Sequence, residues 1–71
     1  MDIETFKYEK IITINDPTII KDMMNLLINF MYEDATKKGE SVQYFRLRLK
    51  DPEEGMSYRD LKLEWVTCVL E

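Results

Sequence analysis

The chain has no histidine and one cysteine, and its 71 residues include only two glycines and two prolines. Each scarcity closes a route. Acid-base catalysis near neutral pH most often uses histidine, so an enzyme is not expected. One thiol, Cys68, can form no internal disulfide, and without histidine it cannot complete a zinc ligand set. No metal and no cofactor is expected. Gly39 and Gly55 each stand alone, so no glycine-rich phosphate cradle is present. "DPEEG", residues 51–55, lacks the alternating ligands of a calcium loop.

Long apolar runs are also missing. "MMNLLINFMY", residues 23–32, is free of charge and carries only Asn25 and Asn29 as polar side chains. It falls well short of the ~20 residues that a membrane span requires. The opening "MDIETFKYEK" has mixed charge where a signal peptide needs a basic start and an apolar stretch. With the unpaired thiol, this makes a reducing cytoplasm the expected location. Alanine occurs once, whereas isoleucine and lysine occur seven times each. That usage fits AT-rich codons and suggests an AT-rich bacterium or one of its mobile elements, such as a phage or plasmid.

What is present is a net charge of −4 with acids and bases interspersed. The balance favours solubility and disfavours non-specific attraction to nucleic acid. A core of this size gains only about 3–5 kcal/mol, so a small chain without disulfide or metal tends to need a partner subunit.

Periodicity divides the chain into four elements within one domain, 1–71. Phe6, Tyr8, Ile12 and Ile14 alternate, predicting a strand over about 4–14, with Lys10 interrupting the row and a bulge conceivable there. "NDPT" offers a cap and a first-turn proline, and helical spacing continues over about 17–38 until Gly39. "SVQYFRLRLK" alternates again, predicting a strand over about 41–50. The stretch over about 60–70 fits a helix or a strand; its "VTCV" run favours the strand.

The order β-α-β-β implies a right-handed crossover followed by a hairpin. The last strand is apolar on both faces near Val66–Leu70, which suits a central position. The expectation is an α+β domain: a three-stranded mixed sheet in order 1-3-2, half of a ferredoxin-like arrangement, with one long helix on one face. The likeness is one of topology.

Two surfaces exceed what such a core needs. Apolar helix positions from Ile19 to Ala35 fill an arc of about 200°, roughly twice the width that faces a core, with Ile20, Met23, Leu27, Phe30 and Met31 at its centre. The first strand is a long, β-branched open edge of the kind that proteins blunt or pair. A homodimer is therefore expected, with Phe6, Tyr8, Leu26, Ile28, Val66 and Leu70 at its interface. The chain ends just beyond Val66, Cys68 and Leu70, leaving a partner or a second copy to cover them.

Tyr44, Arg46, Arg48 and Lys50 share the sheet face opposite the helix, and Asp51, Glu53 and Glu54 follow in the turn. These are the candidate contact residues for another protein, with Trp65 assigned to the core side. An aromatic among cations on an open sheet also suits single-stranded nucleic acid, which is the alternative. Glu9 and Glu64 on the same face weigh against nucleic acid, and the plain alternative to any contact is a solvated face in which Arg46 or Arg48 pairs with Glu64. The functional expectation is a small acidic regulator or inhibitor that binds another protein.

Overall fold

In the computed structural model the described residues are 3–55 and 57–70, Leu70 by its backbone alone. Strand β1 (Ile3–Ile14) leads through a 3-10 turn (Pro17–Ile19) into helix α1 (Ile20–Lys38), and strands β2 (Ser41–Lys50) and β3 (Arg59–Leu70) follow. The sheet order is β1-β3-β2. Every neighbouring pair is antiparallel; β1 and β2 run parallel to each other but are separated by β3. The order 1-3-2 and the single long helix are as expected, and the sheet is antiparallel throughout and not mixed, because β3 separates the two parallel strands.

Local chemistry accounts for the boundaries. The Asp16 carboxylate accepts from the backbone N–H of Thr18 at 3.0 Å and from its hydroxyl at 2.7 Å. These bonds, with Pro17 in the first turn, start the helical segment. At the other end Gly39 adopts φ 71°, a left-handed conformation that costs glycine little. The Gly39 N–H then reaches the Thr36 carbonyl (3.2 Å) and the Glu40 N–H the Ala35 carbonyl (2.8 Å), the paired bonds of a Schellman end.

Strand β3 is central and decides the core. Leu61, Leu63, Trp65 and Thr67 point towards the helix and are buried, and Leu61, Leu63 and Trp65 pack with Ile14, Leu27 and Met31. The alternative helix over this segment is thus excluded, because period-two burial fits only a strand.

Two local expectations change. No bulge occurs at Lys10: the β1–β3 register is unbroken from Ile3–Leu70 to Ile14–Arg59. Lys10 stays in line because its ammonium lies 4.6 Å from the centre of the Phe30 ring. The irregularity falls in β2 instead, between Val42 and Tyr44. The extra residue, Gln43, switches the alternation there, so Tyr44, Arg46, Arg48 and Lys50 share a face with Ser41 while Val42 packs towards the core.

The helix is also rotated from its expected seat. It lies across β3 and β2, with Leu27, Met31 and Ala35 as its buried line. Phe30 is at the margin, 39% exposed, its ring edge against Trp65. Small Ala35 lets the last turns approach the sheet, and bulky Phe30 is displaced to the β1 side.

The molecule is long for its length of chain. Its extents are 52 × 20 × 13 Å and its radius of gyration is 14.5 Å, against about 11 Å for a compact 71-residue domain.

Candidate functional site

One face of the sheet has no covering layer. It carries Ile3 (60% exposed), Ile11 (53%) and Tyr44 (62%), with Val66 half-buried on the central strand. Between them runs a chain of charge. Arg48 on β2 bonds Glu64 on β3 at 3.2 Å, Lys62 lies 3.7 Å from the same carboxylate, and Lys62 reaches Glu9 on β1 at 3.2 Å. Such exposed pairs contribute little energy, but they fix the side chains across all three strands. Arg46 faces Glu64 in register, yet the bond goes to the diagonal Arg48.

That leaves Lys7, Arg46 and Lys50 with no carboxylate partner among the described residues. Lys7, Tyr44, Arg46, Glu64 and Val66 are among the residues lining a shallow depression on this face. It offers an aromatic ring and an aliphatic floor between two unpaired cations. At the far end of the sheet, Lys50, Asp51, Glu53, Tyr58 and Asp60 line a second hollow of predominantly acidic character. The Thr13 hydroxyl already donates to Asp60 there, at 3.0 Å.

The anticipated greasy end is only partly open. Cys68 is buried, with the Gln43 amide nitrogen 2.9 Å from its sulfur, so the bulge residue covers the thiol. Val66 sits on the central strand and not at an edge. The Leu70 side chain lies outside the described residues.

On the helix side, β1 and α1 leave a groove bordered by Tyr8, Lys10, Phe30, Asp34 and Lys38. Beneath it the Tyr8 ring stacks on Trp65 at 5.4 Å, and the Lys38 ammonium sits 4.1 Å above the Tyr8 ring. Lys38 also bonds Asp34 at 2.8 Å, which raises its pKa above the usual lysine value. Glu40 gathers donors here: Tyr8 at 2.8 Å and Thr67 at 2.7 Å. Partial burial first, and the Glu40 carboxylate second, raise the pKa of the Tyr8 phenol. Trp65 has a buried indole N–H with no partner among the described residues.

Of the residues singled out from sequence, Tyr44, Arg46, Arg48 and Lys50 lie together on the open face, and Asp51, Glu53 and Glu54 are exposed beyond it. Phe6 and Tyr8 are half-buried on the helix side of the β1 edge. Leu26 is 59% exposed one turn before Phe30, on the flank turned towards β1. Ile28 is on the other flank, packed against the core. Glu40 and Gln43 were not legible as contacts. Glu40 reads as a loop residue after Gly39, and Gln43 as an ordinary strand position.

Among the described residues no three of His, Cys, Asp and Glu gather as a metal site. No described helix is long and apolar enough to cross a membrane. Comparison of the chain with protein-family models, with curated protein sequences and with solved structures finds no match.

Proposed function

We propose that this chain is a small cytoplasmic interaction module, a homodimeric regulator or inhibitor that acts by binding another protein and performs no catalysis. The observation that carries the reading is the uncovered sheet face. There Tyr44 and Val66 sit beside Lys7 and Arg46, two cations without carboxylate partners among the described residues, and Ile3 and Ile11 stand exposed along the edge strand. Exposed apolar clusters with a polar rim mark interaction surfaces. Tyrosine and arginine are the side chains that anchor such contacts.

An acidic or amphipathic protein surface suits this face better than a nucleic acid. Two of its cations, Arg48 and Lys62, are already engaged by Glu64 and Glu9, and the chain as a whole is negative. The test starts from a partner captured from the native host and rebuilt from purified components. A stoichiometric complex is expected, weakened by Tyr44→Ala and by Arg46→Ala and only mildly by salt. Binding that falls about a thousandfold between 50 and 200 mM salt would instead identify a nucleic-acid ligand. A complex indifferent to both substitutions would remove this face from the reading.

A further inference from the structure

The strand at the sheet's edge carries charges that its own chain leaves unanswered. On β1, Glu9 is paired with Lys62, but Glu4, Lys7 and Lys10 have no opposite charge within bonding distance among the described residues. Glu4 and Lys10 lie on the same side of the strand, opposite Val69 and Leu63 of β3. Ile3 and Ile11 lie on the other side and are both more than half exposed.

We infer that β1 pairs antiparallel with β1 of a second copy, in the one register that places the dimer axis at Lys7. This rests on the reading of the chain as a dimeric interaction module and specifies how the dimer is built. A two-fold axis through an antiparallel strand pair keeps each residue opposite one on the same face, so the axis must pass through a residue. With the axis at Lys7, Glu4 faces Lys10 of the second copy, Phe6 faces Tyr8, Thr5 faces Glu9 and Ile3 faces Ile11, each pair occurring twice. Opposite charges, aromatic rings and exposed isoleucines are all matched.

The competing registers match less. An axis at Tyr8 pairs Lys7 with Glu9 but sets Ile11 against Thr5 and Glu4 against Ile12. An axis at Glu9 opposes two carboxylates, and one at Lys10 opposes two ammonium groups beside Glu9–Ile11 pairs. The cost of the Lys7 register is the central Lys7 pair, eased because each ammonium has Glu9 of the other copy on its diagonal.

The product is a six-stranded sheet in order β2-β3-β1-β1-β3-β2 with both helices on one face. Leu26 and Phe30 line the helix flank turned towards the axis. The accessible surface of the chain is 5437 Å², against about 4,700 Å² for a folded monomer of 8.6 kDa. The surplus is comparable to the ~800 Å² that each partner buries in a standard interface.

The full chain is examined by sedimentation equilibrium from micromolar to 100 µM, with circular dichroism to verify folding. A dimer is expected. Glu4→Lys and Lys10→Glu should each weaken it about tenfold, and the two together should restore it, because the charges are then exchanged across the axis. Lys7→Cys, at an exposed position, should close an intermolecular disulfide on mild oxidation, whereas Thr13→Cys should not. A wild-type chain that stays monomeric at 100 µM overturns the inference while leaving partner binding by Tyr44 and Arg46 to its own test. A dimer that ignores the Glu4–Lys10 exchange but follows a Lys7–Glu9 exchange overturns the register.

Discussion

The phenol of Tyr8 and the carboxylate of Glu40 are 2.8 Å apart although 32 residues separate them along the chain. Thr67, on the central strand, donates to the same carboxylate at 2.7 Å. One acidic side chain placed just after the left-handed Gly39 thereby joins the edge strand, the end of the helix and the middle of the sheet. The geometry is that of a structural tie: Glu40 is enclosed by donors and presents no reacting group to a cavity.

Removing the tie should be felt at Thr67, whose side chain is fully buried. Thr67→Val replaces a hydroxyl bonded to a carboxylate by a methyl and is expected to cost about 1.5–3 kcal/mol in urea unfolding. Glu40→Ala should cost more, since it leaves the Tyr8 and Thr67 hydroxyls both without their acceptor, whereas Thr67→Val removes a donor and leaves Glu40 bonded to Tyr8. If the two substitutions prove additive in a double-mutant cycle, the residues are not coupled.

Stability should fall at alkaline pH for a stated reason. Tyr8 and Lys38 both have pKa values raised above their ordinary 10.0 and 10.5. The folded protein then holds these protons at a pH where the unfolded chain has released them. Their contribution is whole below the unfolded values and disappears as pH climbs through the folded ones. Tyr8→Phe and Lys38→Met should each flatten the alkaline limb of a stability profile, and the late phenolate absorbance of the parent should be lost in Tyr8→Phe. Asp16 behaves oppositely. Its bonds from the Thr18 hydroxyl and backbone N–H lower its pKa below 3.8, so its contribution is present above that value and is lost as the acid form appears. Asp16→Asn should flatten the acid limb alone.

Gly39 offers a cleaner backbone test. A Cβ there would meet nothing within 4 Å, so only its φ of 71° opposes a side chain. Gly39→Ala is expected to cost about 1–2 kcal/mol, and Gly39→Asn less, because asparagine tolerates the left-handed region. Equal costs for the two would mean that Glu40 fails to reach its place for some other reason than backbone strain.

The first three elements were legible because each announced itself locally. The stretch over 60–70 fitted helix and strand alike until its period-two burial decided for the strand. Alternation in β1 and β2, the Asp16–Pro17 start and the Gly39 stop fixed the boundaries, and the two-sided apolar run of β3 fixed its central place. What was not legible depends on tertiary shape. The seat of the helix follows from Ala35 approaching the sheet and Phe30 meeting the edge of Trp65, neither of which a helical wheel encodes. The bulge at Gln43 leaves no turn residue to betray it, since glutamine is an unremarkable strand neighbour. Of the surface, the Tyr44–Arg46–Arg48–Lys50 row was foreseen as a row, but which arginine Glu64 would take depended on sheet twist bringing diagonal neighbours together.

The rotated helix gives the last test its contrast. Met31 is fully buried between α1 and the sheet, so Met31→Ala should cost about 2–5 kcal/mol. Phe30, one residue earlier, was expected at the same central seat but stands at the margin. Its edge contact with Trp65 and its place beneath the Lys10 ammonium are each worth about 1 kcal/mol. Phe30→Ala should therefore cost less than Met31→Ala at concentrations where the chain is monomeric. Leu26→Ala, at a site 59% exposed, should fall within about 0.5 kcal/mol of the parent. Guanidinium unfolding of the three variants under identical dilution decides the matter. A Phe30 cost equal to that of Met31 would return the helix to the seat its apolar arc suggested, with Phe30 and not Ala35 facing the sheet.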